Sequence, residues 1–414
     1  MKLLFLLDEV YSGESANIRL ARMLAARLQA MGQQVTLLVN CPPEQQATFS
    51  DFDARFFTCT ADKISYELVK RAREQGKGAA GQALALALHP AAAANVASTI
   101  LRKRTFAEAP WKRAIEDVCG KEPFDAAIAV SCPHYILFAL ADARITAKKI
   151  CYMLDPYWSN QAMPYAVSLE RELALYEKID AAYVTDLMYA ENQTVALARW
   201  KDKMHVLAFP GLAEKQDGGR AAGIPLAGQI RCVYVGNLYP GVRSPEYLFR
   251  LLEQLPAEIG LSLFGGGREG FAPGFFAGWA EKLGPRLALH GPVDPETASD
   301  LLLQGDVLVN IGNTVANQLP SKIFEYLSAG RPVLNICKRA DCPSLPYFEK
   351  YPLALNLQEG DLSADTLARA ANFCRRAPGC TVPYAQVAAL LPDCTAQAVA
   401  ARFLQLTQEV TGKE

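Results

Sequence analysis

The run Asn317-Gln318-Leu319-Pro320-Ser321-Lys322-Ile323-Phe324-Glu325-Tyr326-Leu327-Ser328-Ala329-Gly330-Arg331-Pro332-Val333-Leu334 concentrates the side chains of this sequence that could do chemistry. Pro320 suits a first helical turn, where a missing N–H costs little. Ile323, Phe324 and Leu327 recur at the spacing of one buried stripe, Gly330 ends the helix, and Pro332-Val333-Leu334 opens a strand. The start of such a helix offers amide N–H groups, and with Ser321 and Lys322 it makes an anion site. Glu325 stands about one turn further along. A carboxylate there disfavours a phosphate but accepts two hydrogen bonds from a diol such as a ribose. A phosphate cradle and a diol acceptor one turn apart point to a nucleotide.

Other motifs carry less. Gly265-Gly266-Gly267-Arg268-Glu269-Gly270 matches G-x-G-x-x-G after a strand, but Phe271-Ala272-Pro273-Gly274 follows where a helix should open. The next strand finishes at His290 rather than at an acid, so a glycine-rich loop lining a cleft is expected instead of a dehydrogenase site. Gly13-Glu14-Ser15-Ala16-Asn17 lacks the second glycine of a nucleophile elbow, and Asp51-Phe52-Asp53 precedes a strand where a metal-binding Asp-x-Asp would end one. Both are read as chance. Eleven cysteines include no Cys-x-x-Cys pair; the nearest neighbours are Cys337/Cys342 and Cys374/Cys380. Several sit in apolar strand-like runs (Cys151, Cys232, Cys337), so reduced core thiols are expected. The four histidines, 89, 134, 205 and 290, form no pair at ligand spacing, which argues against zinc.

The elements that must position these residues alternate between strand and helix. Strand-like runs cover Lys2–Leu7, Gln34–Val39, Arg55–Cys59, Asp125–Val130, Lys149–Leu154, Ala181–Thr185 and His205–Phe209, with a first helix from about Ser15 to Met31. Linker-type residues fill 210–229, and the alternation restarts at Arg231–Val235, Gly260–Phe264, Arg286–His290, Asp306–Asn310 and Pro332–Cys337. The expected class is α/β: two Rossmann-like domains facing across a cleft, with ligands outside the carboxyl ends of the strands. The expected division is 1–209, a hinge at 210–229, a second domain at 230–385 and a helical segment at 386–414. Val399, Phe403, Leu406 and Val410 give that last segment one apolar stripe, which could pack on either domain.

Composition narrows the partners. Hydrophobic residues make up 51% and charged residues 21%, with a net charge of −1, which excludes disorder and a nucleic-acid binder working by bulk charge. No apolar run reaches the ~18–20 residues of a membrane span. The opening Met1-Lys2-Leu3-Leu4-Phe5-Leu6-Leu7-Asp8 is too short for a signal h-region and reads as a first strand in a cytoplasmic protein. Residues 55–113 hold eleven Lys/Arg against four Asp/Glu around an Ala-rich stretch (Ala79–Leu101), flanked by Lys70-Arg71-Ala72-Arg73 and Arg102-Lys103-Arg104. This is either a set of solvated basic faces or a surface for anionic lipid headgroups, placing the protein at the inner face of a membrane.

The 317–334 block resembles the donor-binding motif of GT-B glycosyltransferases, most closely family 4. Other pieces are similar in order. Tyr234-Val235-Gly236-Asn237-Leu238-Tyr239-Pro240-Gly241-Val242-Arg243-Ser244-Pro245 looks like the family's first loop of the second domain, where Arg243 would meet the donor diphosphate. Leu263-Phe264-Gly265-Gly266-Gly267 looks like the following strand and glycine turn, and Leu289-His290-Gly291-Pro292-Val293 like the loop that contacts the base through its backbone. The resemblance implies a nucleotide-diphosphate-sugar donor as co-substrate, no cofactor or metal, and a glycan or lipid-linked acceptor. It implies retention of configuration, with Arg243, Lys322, Ser321 and the helix start stabilising the departing diphosphate. The family pattern is Glu-x7-Glu; seven residues before Glu325 stands Gln318, which can donate and accept at the donor sugar but carries no charge. Ser131-Cys132-Pro133-His134 and Tyr152-Met153-Leu154-Asp155-Pro156-Tyr157 fall where acceptor-side loops are expected. His134 is then a catalytic candidate or a structural hydrogen-bonder. Asp155 orients an acceptor hydroxyl or caps a loop, and Tyr157 and Trp158 stack on a sugar or simply pack. A nucleotide-sugar epimerase of the same fold and a catalytically silent nucleotide-sugar-binding protein are the alternatives.

Overall fold

A computed structural model describes residues 1–9, 16–59, 64, 68, 71–72, 78–94, 97, 105, 107–131, 133–160 and 168–413. The chain forms two compact units: Met1–Pro210 with Ala396–Glu414, and Gly211–Thr395. The Gly13-Glu14-Ser15 stretch, Cys132, and the basic residues Lys70, Arg73 and Arg102 to Arg104 lie outside the described residues.

The first unit is built on seven strands: β1 (Lys2–Asp8), β2 (Gln34–Asn40), β3 (Asp53–Phe57), β4 (Ala126–Val130), β5 (Lys148–Met153), β6 (Ala181–Val184) and β7 (Met204–Val206). Their order is β3-β2-β1-β4-β5-β6-β7, every pair parallel. A sheet covered on both faces gives strands that read as continuous apolar runs, and Leu3 to Leu7 are all buried. One face packs on the helices Glu108–Lys121, Tyr135–Asp142 and Leu169–Lys178 through Leu4, Leu6, Ala129, Met153 and Val184 against Trp111, Ile136 and Leu175. The C-terminal helix Ala396–Thr411 covers the other face. Phe403 stacks on Phe5 at 5.7 Å between ring centroids and meets Tyr183 edge-on at 5.1 Å. The hydroxyls of Tyr183 and Thr407 hydrogen-bond at 3.1 Å. The stripe of Val399, Phe403 and Leu406 therefore belongs to the first unit.

The second unit carries β8 (Ile230–Val235), β9 (Ile259–Phe264), β10 (Leu287–Leu289), β11 (Val307–Ile311), β12 (Val333–Cys337) and β13 (Ala354–Gln358). The order is β10-β9-β8-β11-β12-β13, again wholly parallel. Segment 210–229 has linker composition, yet it is strapped to this unit. Leu212 bridges to Thr395, the amides of Gly218 and Arg220 donate to the Asp300 carboxylate at 2.9 and 2.6 Å, and the Ala227 amide donates to Ser262 at 2.8 Å. The sequence reading placed the third strand two residues too far along and missed β13. That strand lies at the sheet edge, carries Asn356 and Gln358 among its apolar residues and is only partly buried. No helix among the described residues is long and apolar enough to cross a membrane.

Candidate active site

In an open parallel sheet, loops leave neighbouring strands in opposite directions at one point, and the crevice there is the usual ligand site. In the second unit that point lies between β8, which leads to β9, and β11, which leads to β12. Most of the residues that the sequence resemblance assigned to a donor gather at this edge.

Gly236 and Asn237 leave the end of β8. The Asn237 side-chain oxygen accepts the Gly266 amide at 3.0 Å, and the Leu238 amide donates to the Gly266 carbonyl at 3.0 Å. The loops after β8 and β9 thus lie backbone on backbone, which explains the glycines. Gly265 has φ +138°, and a Cβ there would fall 1.9 Å from the Gly236 carbonyl oxygen; at Gly267, φ +83°, it would fall 2.0 Å from that of Leu238. The loop continues through the Gly265 amide, which donates to Gly291 at 3.1 Å, and the Arg268 guanidinium, which donates to the His290 carbonyl. The His290 ring stacks on Phe264 with centroids 4.2 Å apart and planes 6° apart. Burial, aided by the Arg268 charge, holds His290 below its ordinary pKa, so the imidazole is neutral near pH 7. Its Nε2 and the Arg268 Nε are buried and have no partner among the described residues. Buried polar atoms of this kind call for a ligand or ordered water. Gly291 is exposed and Val293 half-buried in the same loop.

Arg243 bridges the switch point. A tight turn sets it: the Tyr239 and Arg243 backbones exchange hydrogen bonds at 3.2 and 2.7 Å. Its Nε and Nη2 donate to the side-chain oxygen of Asn313, beyond β11, at 3.0 and 2.7 Å. The Thr314 amide donates to Val242 at 3.1 Å and closes the same seam. Tyr234 donates to the Asn237 carbonyl at 3.1 Å; burial pushes its phenol up, and the Arg243 charge opposes this.

The helix after β11 spans Lys322–Ser328. Ile323, Phe324 and Leu327 are fully buried, as their spacing predicts. Pro320 is buried, and Gln318 and Ser321 are half-buried. The amides of Ile323 and Phe324 turn back onto the carbonyls of Pro320 and Ser321 at 3.2 Å each. Positive charge at this end therefore rests on Lys322 more than on open amides. Lys322 Nζ donates to both Glu325 oxygens at 3.1 and 3.0 Å, with the two side chains 26% and 22% exposed. Tyr326 fixes the helix to the end of β8: its hydroxyl accepts the Val235 amide at 3.1 Å and donates to the Val235 carbonyl at 3.2 Å.

His134 and Asp155 belong to the first unit, where they come together at the ends of β4 and β5. His134 is 3% exposed, and its Nε2 hydrogen-bonds the Asp155 carbonyl at 3.2 Å. Burial holds its pKa below the ordinary value, so the ring is neutral. The Asp155 carboxylate accepts the Asn17 side-chain amide at 3.0 Å. Tyr157 is buried, with its ring against His134 and Phe138, so it packs rather than presenting a face. Trp158 is tethered by its amide to Glu172 at 2.9 Å and by its indole to Asn192 at 3.0 Å.

Sequence reasoning missed Asn313, Tyr326 and Asp8. Asp8 ends β1 at the first unit's own switch point and collects Asn40, Trp111 and Tyr135 donors at 2.8, 3.0 and 2.9 Å. Its signal was present: Asp8 and Asn40 each close an apolar run, and the sheet register pairs them.

No family model matches the chain, and no curated protein matches it. Solved structures match along all or nearly all of their length. A glycosyltransferase from Rickettsia africae ESF-5 is similar with a TM-score of 0.62 at 11% identity, covering 100% of both chains. Sucrose-phosphate synthase from Thermosynechococcus elongatus gives 0.61 at 16% identity over 99% of this chain and 100% of that one. HepE from Anabaena, in complex with UDP and glucose, gives 0.58 at 16% identity over 100% and 98%. At these identities the likeness is one of fold: this chain has the two-sheet α/β fold of the GT-B glycosyltransferases.

Proposed function

We propose that this chain is a glycosyltransferase that binds a nucleoside-diphosphate sugar at the ends of β8 and β11 and moves the sugar to a glycan or lipid-linked acceptor. One observation carries the reading. The Arg243–Asn313 fork and the Lys322–Glu325 pair gather at the switch point of a parallel sheet, in a fold shared with a protein solved with UDP and glucose. Glycosyl transfer passes through an oxocarbenium-like state as the diphosphate leaves. Arg243, Lys322 and the Ser321 hydroxyl stabilise that leaving group by fixed electrostatics, with no metal or cofactor required. Donor binding exchanges the partners of the ion pair: Lys322 turns to phosphate and Glu325 to the ribose diol. The buried, unpartnered Arg268 and His290 nitrogens and the Gly291 and Val293 backbone serve the base side. Gln318 serves the donor sugar, with retention of configuration.

In the first unit, Asp155 is assigned to the acceptor hydroxyl, with His134 holding its backbone in place. The protein is placed in the cytoplasm, with segment 55–113 on anionic lipid. Within the described part of that segment Leu84 and Leu88 are 59% and 76% exposed, apolar surface that supports such a contact.

The test is a thermal-shift screen over UDP, GDP and their sugars, followed by assay of released nucleoside diphosphate with added glycans and lipid-linked sugars. Stabilisation by one nucleotide sugar and acceptor-dependent release are expected. Lys322→Ala should keep the fold and lose about 10²–10³-fold in turnover. Epimerised sugar without transfer, binding without turnover, or unchanged kinetics in folded Lys322→Ala would each overturn the reading. Flotation with anionic liposomes checks the lipid contact, which fails if no salt-sensitive binding occurs.

A further inference from the structure

Three loops leave the carboxyl edge of the second sheet side by side: 236–245 after β8, 312–321 after β11 and 338–344 after β12. The first carries Arg243 and the second Asn313. The third supplies neither, yet it grips the second one residue beyond Asn313. Arg339 Nη1 donates to the Thr314 carbonyl at 3.1 Å, while its Nε and Nη2 donate to the two Asp341 oxygens at 2.7 and 2.8 Å. A guanidinium is planar and its N–H groups keep fixed directions, so two parallel bonds to one carboxylate aim the remaining nitrogen. Arg339 and Asp341 are 39% and 65% exposed, and an ion pair so open to water adds little stability, but it fixes direction.

Thr314 passes that hold across the mouth of the crevice. Its amide donates to the Val242 carbonyl at 3.1 Å and its hydroxyl to the Gly241 carbonyl at 3.0 Å. Val242 directly precedes Arg243, and Asn313 directly precedes Thr314. One residue therefore sets the spacing between the two partners of the fork. Thr314 is exposed, so hydrogen bonds place it more than packing does.

The loop behind Arg339 is stiff. Lys338 Nζ donates to both Glu359 oxygens, past the end of β13, at 2.8 and 2.7 Å, with the Lys338 side chain only 4% exposed. Cys342, Pro343 and Ser344 are buried. The Gly312 amide donates to the Ile336 carbonyl at 2.9 Å, and a Cβ on Gly312 would stand 3.0 Å from Cys342 Sγ. The loop after β11 is thus pressed against β12 at its root. It reaches toward β8 at Thr314, where the pairing of β8 with β11 has already ended.

We propose that Arg339 is a positioning residue for Arg243: aimed by Asp341, it holds the Thr314 carbonyl and so fixes the Arg243–Asn313 fork at the crevice. This role rests on the glycosyltransferase reading, in which Arg243 faces the departing diphosphate. A guanidinium that drifts from its place binds the donor nearly as well but stabilises the developing charge less. The loss then falls on kcat rather than on KM.

The test uses the full chain with Arg339→Ala, Asp341→Ala and Arg243→Ala, singly and combined. Arg339→Ala should lower kcat about tenfold with KM for the donor little changed. Asp341→Ala keeps the guanidinium and removes an anion, so a role in bulk charge would raise kcat, whereas release of the aim lowers it. Adding Arg339→Ala to Arg243→Ala should cost nothing further, because the group it positions is gone. A second readout needs no turnover: the Arg243 Nε–H resonance in protein isotope-labelled on its arginine nitrogens, assigned by its loss in Arg243→Lys. Asn313→Ala shows where that resonance moves when the fork is broken, and Arg339→Ala and Asp341→Ala should move it the same way. Full additivity of Arg339→Ala with Arg243→Ala, an unchanged or raised kcat in Asp341→Ala, or an unmoved resonance would overturn the proposal. If the parent protein turns over no nucleotide sugar, the functional reading fails, and the resonance alone decides whether Arg339 holds the fork.

Discussion

The Tyr326 hydroxyl is hydrogen-bonded to both backbone groups of Val235, receiving the amide at 3.1 Å and donating to the carbonyl at 3.2 Å. The pairing of β8 with β11 stops two residues earlier, at Val233 and Leu308. Beyond it the strands part to open the crevice, and the Val235 groups would face that gap with no strand partner. Tyr326 takes the missing partner's place and, in doing so, ties the helix that carries Lys322 and Glu325 to the mouth of the crevice. Tyr326→Phe keeps the packing but leaves a buried amide and carbonyl unmade. Denaturant unfolding should show a loss of about 1–3 kcal/mol, with weaker donor binding by calorimetry.

Arg243 and Asn313 separate charge from placement. Arg243→Ala should lower turnover by about 10²–10³-fold, the scale for removing one fixed charge-stabilising group. Asn313→Ala retains the charge and releases its aim, so turnover should fall less and be partly restored in Asn313→Gln. Equal losses in Arg243→Ala and Asn313→Ala would mean that the guanidinium works only as part of the fork. Initial rates with the donor identified by thermal shift supply the measurement.

Gly265 and Gly241 make a matched pair, both at positive φ, +138° and +73°. A side chain at Gly265 strikes the Gly236 carbonyl, whereas one at Gly241 meets nothing within 4 Å. Gly241→Ala should cost about 1–2 kcal/mol from backbone conformation alone. Gly265→Ala should cost more and also disrupt donor binding, because the loops after β8 and β9 must separate. Unfolding midpoints of the two variants in parallel decide the matter.

Glu172 gives a pH signature. Burial pushes its carboxyl from 4.5 up to about 8, with Glu191 adding to the shift and the Trp158 amide opposing it. A folded-state value above the unfolded one means that the stabilisation is fully present below 4.5 and is lost as pH rises through about 8. Glu172→Gln keeps an acceptor for Trp158 and does not titrate. Between about pH 5 and about pH 8.5 the parent protein should therefore lose on the order of a few kcal/mol more stability than the variant. Denaturant melts at the two pH values give the comparison.

Strands were legible where both sheet faces are covered, because burial on both sides forces an unbroken apolar run such as Leu3 to Leu7. The edge strand Ala354–Gln358 is half-wet, so it lacks that mark. Lys322 and Glu325 were legible because helix spacing alone sets them one turn apart. Asn313 was not, since its value lies in meeting Arg243, 70 residues away in sequence. Tyr326 read as one more buried aromatic; only the parting of two strands gives its hydroxyl a task. The glycine triplet invited a cofactor reading, whereas its cause is the close approach of two loops.

The helix Ala396–Thr411 is, in packing, part of the unit that opens the chain. Phe403 and Thr407 complete the aromatic layer of Phe5, Tyr152 and Tyr183 on a sheet whose first strand begins at Lys2. Stopping synthesis before Ala396 would therefore expose an interior instead of trimming a tail. The amino-terminal half cannot close its own hydrophobic layer until the residues of Ala396–Thr411 have been made.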